Sequence, residues 1–238
     1  MTYTTIQKSL NPAYRKLKVW RSHLDIFKES LNSLLMQTQA QIDKSEEFHK
    51  NNLRDFFNET YYKSNHYINV KDKQDLAIYH GKNIDSKVGV IIETKSPSNK
   101  GEMLSFDKFN IKALQQLLLY YLQERVTSKN LEIKYLIVTN IYDWFVFPAS
   151  LFEQLFYQKK FLVNQFNDFQ EGKLCSHKTD FFYNEIAYYA IEKVETELKS
   201  NVIYFNLNDY HHKEESELIL LYKFLSPSHL LNLSFAND

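Results

Sequence analysis

The feature that most constrains the fold of this chain is a change in the period of its apolar residues. Near the start of the chain, apolar side chains recur every three or four residues, which is the spacing of a helix with one apolar face. Between residues 66 and 95 this spacing gives way to three short apolar runs separated by polar turns, a pattern typical of β-strands. A chain that changes period in this way is expected to pack helices against a sheet.

Along the whole chain, the pattern predicts two helices, three strands, a helix, two strands and a mostly helical remainder. The predicted strands are residues 66–70, 75–79, 88–95, 134–139, 144–147 and 202–206. The predicted helices are residues 14–42, 45–61, 110–125, 149–160, 180–199 and 214–224. We therefore predict an α/β fold with an N-terminal helical extension (1–44), a core (45–160) and a C-terminal, mostly helical region (161–238).

The composition limits where the protein acts and how it binds partners. With 238 residues, the chain is long enough for one core domain with a helical extension. Cys175 is the single cysteine, so no intramolecular disulfide can form, and the N-terminus lacks the apolar stretch of a signal peptide. The 29 basic residues balance 29 acidic ones, so any affinity for nucleic acid must come from a local patch. We expect a soluble, cytoplasmic protein without a membrane segment.

The pattern Glu-x-Lys indicates candidate catalytic residues, but only one of its occurrences lies in a suitable sequence context. The four occurrences are Glu93/Lys95, Glu132/Lys134, Glu171/Lys173 and Glu197/Lys199. Glu93 and Lys95 close an apolar strand, whose period of two places both side chains on one face. Glu171 lies in a polar stretch and Glu197 in a predicted helix, while Glu132 has no acidic partner on a preceding strand. We interpret these three as surface charges.

Asp75 begins the strand that precedes the one ending in Glu93. If the two strands form an antiparallel hairpin with its turn between residues 81 and 87, their carboxylates meet. Two adjacent carboxylates fit Mg²⁺, which prefers oxygen ligands, with Mn²⁺ as a substitute. Lys95 beside them can orient a water molecule and offset the charge on a phosphate. The alternative interpretation is an ordinary ion pair at a strand end. We expect the side chains of Asp75 and Lys95 to lie near solvent.

Several segments of the chain resemble the PD-(D/E)XK nuclease domain of type IIG-like restriction-modification enzymes. They are residues 75–78, 88–99 with the motif Glu-Thr-Lys, 102–103, 110–125 and 135–147. The resemblance covers most of residues 45–160 and, more weakly, the helical remainder. It implies a restriction-endonuclease-like core, a mixed central sheet flanked by helices, that hydrolyses double-stranded DNA in a metal-dependent reaction in the bacterial cytoplasm.

The resemblance also assigns roles to residues at the end of the predicted hairpin. Asp75, Glu93 and Thr94 are the implied metal ligands, and Lys95 is the implied catalytic lysine. The chain departs from the motif at one point, because Gln74 replaces the proline that gives the motif its name.

Two further elements supply candidate catalytic residues. Gln116 and Tyr120 match the Gln-x-x-x-Tyr pattern of many such nucleases and share one face of their predicted helix. The family commonly has another glutamate on the helix before the first strand, which here is Glu46 or Glu47, and we prefer Glu47. Acidic residues in a first helical turn also interact favourably with the helix dipole, without any role in catalysis.

The implied partners are DNA, an adenine methyltransferase and a target-recognition region, the latter two acting in cis or in trans. Type IIG-like enzymes fuse all three functions, whereas this chain shows only the nuclease pattern. Two alternatives remain open at this point. One is a catalytically inactive module that uses the same fold to bind DNA or to brace a larger assembly. The other is a repair or junction nuclease with the same chemistry.

Three other motifs are weaker. Residues 11–14 (Asn-Pro-Ala-Tyr) differ from the methyltransferase motif at their third position and instead predict a helix start. His211 and His212 are adjacent, have no further ligand nearby and are interpreted as surface residues. A basic cluster could contact phosphates but is more typical of a charged helix face. It consists of Arg15, Lys16, Lys18 and Arg21.

Overall fold

In the part of the chain that the structure describes, six strands form one central sheet, in the same order in the sheet as in the sequence. The structure, a computed structural model, describes residues 3–71, 74–232 and 236; the side chains of residues 70, 71, 74, 75, 211 and 212 lie outside the described part. The strands are β1 (Ile68–Lys71), β2 (Gln74–Tyr79), β3 (Val88–Thr94), β4 (Tyr135–Thr139), β5 (Asp143–Pro148) and β6 (Ile203–Asn206).

Helices cover both faces of this sheet. They are α1 (Ile6–Ser9), α2 (Pro12–Lys16), α3 (Arg21–Ala40), α4 (Glu46–Phe57), α5 (Lys112–Leu122), α6 (Ala149–Phe152), α7 (Lys160–Gln170), α8 (Thr179–Phe181), α9 (Tyr188–Glu192), α10 (Glu195–Asn201), α11 (Glu215–Leu225) and α12 (Pro227–Leu230). Short π-helical segments extend several of them, at Asn58–Tyr62, Gln123–Thr127, Glu153–Tyr157 and Phe182–Ala187, and a 3₁₀ segment spans Leu207–His212. The predicted α/β fold is thus confirmed, with a mixed sheet flanked by helices.

The pairing of the strands changes at the centre of the sheet. Strands β1, β2 and β3 form an antiparallel meander, whereas β3 and β4 are parallel. A parallel pair needs a crossover connection, and α5 supplies it. Strands β5 and β6 then continue from β4 in antiparallel pairs. Strand β3 therefore has an antiparallel neighbour on one side and a parallel neighbour on the other.

Both faces of the sheet are buried. Ile91 and Leu136 belong to a core formed with α5 and the helices between residues 149 and 202. Ile92 and Ile137, on the opposite face, belong to a core formed with the N-terminal helices, α11 and α12. All residues of β3 are buried as a result, which explains why its sequence is a continuous apolar run up to Glu93.

The long helix predicted for residues 14–42 is in fact two helices, so that prediction is wrong at its start. Helix α2 ends at Lys16 and α3 begins at Arg21. The cause lies far away in the sequence, since the ammonium group of Lys223 in α11 binds the backbone carbonyl oxygens of Tyr14, Arg15 and Leu17. Carbonyls at the end of a helix lack intrahelical partners, so this lysine stabilises the break.

Among the described residues, no helix combines the length and the apolar character that crossing a membrane requires.

Candidate active site

The candidate site lies where β3 ends. Glu93 is the penultimate residue of this strand and Lys95 follows its last residue. The backbone N–H of Lys95 donates to the carbonyl oxygen of Thr139 at 2.8 Å, which continues the parallel pairing with β4 past the end of β3. The backbone stays extended there, and the side chains of Glu93 and Lys95 consequently share one face of the sheet.

Glu93 and Lys95 form a buried ion pair. The Nζ atom of Lys95 lies 2.6 Å from Oε1 of Glu93. Glu93 is fully buried and Lys95 is 2% exposed, because helices cover both faces of the sheet. The expectation that Lys95 lies near solvent is therefore wrong. A buried charge is costly without a partner, so each of the two stabilises the charged form of the other.

A second carboxylate approaches Lys95 from helix α4. Oε2 of Glu46, the first residue of α4, lies 3.4 Å from Nζ of Lys95. Ser45 caps the helix by accepting a hydrogen bond from the backbone N–H of Phe48, which fixes the direction of the first turn. The side chain of Glu46 is 34% exposed. Lys95 is thus held between a buried carboxylate and a partly exposed one.

The structure brings Glu46, and not the preferred Glu47, to Lys95. Successive residues of a helix point about 100° apart, so only one of the two can face the end of β3. The carboxylate of Glu47 instead lies 3.2 Å from Nζ of Lys50, on a side chain that is 59% exposed. Glu46, and not Glu47, is therefore the candidate site residue of helix α4.

Asp75 occupies the predicted position in the hairpin. Strands β2 and β3 pair with Leu76 opposite Ile92 and Ala77 opposite Ile91. Continued by one residue pair, this register puts Asp75 opposite Glu93. The side chain of Asp75 lies outside the described residues, so its contact with Glu93 stays a prediction.

Thr94 differs from Glu93 in the face that it presents. Alternation along β3 directs the Thr94 side chain towards the layer that holds Ile92, away from Glu93. Only the backbone carbonyl of Thr94 is therefore suited to bind a metal beside the Glu93 carboxylate.

Gln116 and Tyr120 lie on α5, the helix that packs on the Ile91 face of β3. Both side chains are partly buried. The Oε1 atom of Gln116 is buried and has no hydrogen-bond partner among the described residues. A buried carbonyl oxygen without a donor is unusual, so this atom is suited to accept a hydrogen bond from a bound water or ligand.

Tyr183 lies within electrostatic reach of Glu93 and Lys95, although no motif indicated it. It lies in the π-helical segment after α8 and is buried. Burial raises the pKa of its hydroxyl; the charge of Glu93 raises this pKa further, whereas Lys95 and a hydrogen bond with Thr179 lower it. The phenol therefore stays protonated at neutral pH and lies within electrostatic reach of both charged residues. π-Helical insertions are frequent at functional sites.

The metal ligands are incomplete in the described part of the chain. Among the described side chains, no group of three or more His, Cys, Asp or Glu residues is arranged to hold a metal ion. Asp75, His211 and His212 have side chains outside that part. Glu93 is the buried carboxylate of the candidate site, and Asp75 is the residue whose position in the sheet would complete a pair.

The basic cluster near the N-terminus is partly neutralised. Arg21 forms ion pairs of 3.0 Å with both Asp25 and Glu215. These contacts favour the interpretation of a charged helix surface.

The fold and the site define an α/β protein with a buried glutamate–lysine pair at the end of a central strand. Residues 4–238 match the family described as "Domain of unknown function (DUF7149)", and the chain belongs to this family. Searches of curated proteins and of solved structures found no match to the chain. The site geometry is therefore the basis for a functional proposal.

Proposed function

We propose that the protein is a metal-dependent DNA endonuclease domain with a PD-(D/E)XK fold, acting in a bacterial restriction-modification system. The observation that carries this proposal is the position of Lys95, held between Glu93 and Glu46 where β3 ends. In the sheet, this point lies between an antiparallel and a parallel neighbour. The order of α4, three antiparallel strands, α5 and a parallel strand agrees with the core that the sequence resemblance implies.

The donor atoms fit a hard divalent cation. Glu93 offers a fully buried carboxylate and Thr94 a backbone carbonyl, and the register of β2 and β3, continued by one residue pair, puts Asp75 opposite Glu93. Mg²⁺ binds such oxygen ligands and keeps several water molecules, and Mn²⁺ can substitute for it. When bound, the cation would offset the charge that develops on a phosphate and lower the pKa of a water molecule.

The protein side chains would hold and orient the substrate. Lys95 is already aligned by Glu93 at 2.6 Å, so its ammonium group can donate hydrogen bonds to a phosphate oxygen or to the attacking water without reorganisation. The contact with Glu46 is longer, at 3.4 Å, and its carboxylate is partly exposed. Glu46 is thus the group that a phosphate would displace from Lys95.

Two neutral groups complete the proposed site. Gln116, with its buried Oε1 atom, would accept a hydrogen bond from a water molecule and so orient it. Tyr183 has a raised pKa and remains a phenol, able to donate a hydrogen bond to an anionic oxygen. Neither group adds charge near Glu93.

Nicking of supercoiled plasmid by the purified chain tests the proposal. We expect conversion to open circles in Mg²⁺ or Mn²⁺ at low salt, none in EDTA, and loss of conversion in Glu93→Gln. Glu132→Gln is the matched control, because this residue opens another Glu-x-Lys motif but is largely exposed and lies 4.0 Å from its lysine. Absence of metal-dependent nicking by the folded wild-type chain would refute the proposal.

The alternative of an inactive DNA-binding module is favoured by one observation, the near-complete burial of Glu93 and Lys95. A buried pair of this kind can be purely structural. Such a module would retard DNA in a gel without cutting it, and Glu93→Gln would lower stability alone. In the nuclease proposal, sequence recognition belongs to a methyltransferase and target-recognition region in cis or in trans.

A further inference from the structure

A concave surface lies in the C-terminal helices. It is a groove of about 490 Å³ between α7 and the helical segment that runs from the π-helical turn into α9. Phe156, Leu162 and Ile186 form part of its apolar floor. Pockets that bind organic ligands typically have volumes of about 300–1,000 Å³ and apolar walls. The groove is therefore large enough for a planar ring system.

Exposed aromatic rings stand at the edge of this groove. Phe161 is 71% exposed, and Tyr189, which also lines the groove, is 52% exposed. Neither ring contributes to the buried core. Large apolar side chains that border a cavity and face water often mark a binding surface.

The charged side chains that line the groove are two lysines and one glutamate. Lys159 and Lys193 line it, and Lys160 is adjacent and exposed. None of these three lysines forms an ion pair with a residue in the described part of the chain. Glu185 is the one carboxylate among the lining residues. The protein has zero formal net charge, so this excess of basic groups is a local property.

We propose that the groove binds single-stranded DNA, with an unpaired base stacked on Phe161 or Tyr189 and phosphates held by Lys159 and Lys193. Aromatic rings beside basic side chains are the means by which proteins bind single strands without reading their sequence, because every base has a face that can stack. The same surface is less suited to intact duplex, whose bases are already stacked on each other.

One helical segment carries both Tyr183 and part of the groove. The charges of Glu93 and Lys95 affect the pKa of Tyr183. Ile186 and Tyr189 follow Tyr183 on the same helical segment and line the groove. Six residues separate Tyr183 from Tyr189 in the sequence, which is fewer than two helical turns. A strand unpaired next to the cleaved phosphate would reach the groove. This last link rests on the proposed nuclease function, whereas the binding of a single strand does not.

Fluorescence anisotropy with a fluorescein-labelled 20-nucleotide oligo-dT, in EDTA and at low salt, tests the inference. We expect Phe161→Ala and Tyr189→Ala each to weaken binding about five- to tenfold. Lys193→Gln should reduce the slope of log affinity against log salt by about 0.7, the loss of one phosphate contact. Leu131→Ala is the matched control, since Leu131 is 69% exposed but lies outside the groove.

The two proposals fail in different ways. Binding of oligo-dT by the wild type without any metal-dependent nicking would refute the nuclease and leave the groove proposal intact. Unchanged affinity in both aromatic variants would overturn the groove proposal. So would tighter binding of oligo-U, of an acidic amphipathic peptide, or formation of a dimer that Phe161→Ala abolishes in size-exclusion chromatography.

Discussion

Two lysines, Lys95 and Lys223, are each only 2% exposed, yet they are surrounded by different chemical groups. The ammonium group of Lys223 donates to three backbone carbonyl oxygens at 2.6–3.1 Å. The ammonium group of Lys95 faces two side-chain carboxylates, Glu93 and Glu46. The two lysines are therefore equally buried, but Lys223 is surrounded by backbone carbonyls and Lys95 by charged side chains.

The difference separates a structural lysine from one suited to chemistry. The partners of Lys223 are fixed by the end of α2, so exchanging them would require the helix to move, and burial lowers the pKa of this lysine. The partners of Lys95 are negative, and the Glu46 carboxylate is on a partly exposed side chain that can rotate. Lys95 can exchange that carboxylate for another anion while Glu93 keeps it aligned.

The largest expected effect is on cleavage. Lys95→Met should lower the rate of plasmid nicking by about a hundredfold to a thousandfold. The variant lacks the ammonium group that is already positioned to donate a hydrogen bond where negative charge develops on the phosphate. Lys223→Met should leave nicking per folded molecule unchanged. Single-turnover rates, corrected for the folded fraction by circular dichroism, provide the measurement. Equal losses in both variants would mean that Lys95 is as structural as Lys223.

The second expected effect is on stability. Lys223→Met should lower the free energy of unfolding by about 3 kcal/mol, because it removes the donor of three hydrogen bonds to the carbonyl oxygens of Tyr14, Arg15 and Leu17. Urea denaturation at neutral pH measures this loss. Lys213→Met is the control, since Lys213 is exposed and has a single 4.0 Å contact with Glu217. A loss below 1 kcal/mol would show that α2 finds other hydrogen bonds.

The smallest expected effect is a pH dependence of the free energy of unfolding that is caused by His229 in α12. Burial lowers the pKa of His229 to about 4, although a hydrogen bond with the carbonyl of Phe224 opposes this shift. The unfolded chain then binds more protons than the folded one between pH 6.5 and pH 4, so stability is present above this window and is lost as the pH falls through it.

Between pH 7 and pH 5 this histidine should reduce the free energy of unfolding by about 2 kcal/mol. His229→Gln should lessen that dependence, because glutamine does not titrate. Urea titrations at the two pH values compare the chains. The same acid dependence in wild type and variant would assign the effect to other groups.

The sequence predicted the structural features that depend on the local spacing of apolar residues. It did not predict the features that depend on contacts between residues far apart in the chain. Strand β3, the hairpin with β2 and the joint orientation of Glu93 and Lys95 all follow from alternation within a few residues. The break between α2 and α3 does not, because its cause, Lys223, is about 200 residues away in the sequence. The spacing that suggested one long helix included Leu17 and Trp20, both of which are exposed.

In the candidate site too, contacts between distant parts of the chain decide what the local sequence leaves open. Two adjacent acids in the first turn of α4 look equivalent in sequence, and only the docking of that helix on the sheet decides that Glu46 reaches Lys95. Tyr183 comes from a helical segment about 90 residues beyond Glu93, without a motif to indicate it. The burial of the ion pair has the same origin, since helices from both ends of the chain cover the sheet.

The parallel pairing of β3 with β4 has a consequence for the order of folding. The β2–β3 hairpin needs only a short turn, but about forty residues separate the end of β3 from the start of β4. Closing that loop costs entropy before the new pairs form, so the hairpin is expected to form first. Lys95 acquires its hydrogen bond to Thr139 only in the later step. A chain still on the ribosome would therefore hold Glu93 in a hairpin before the backbone N–H of Lys95 has its partner in β4.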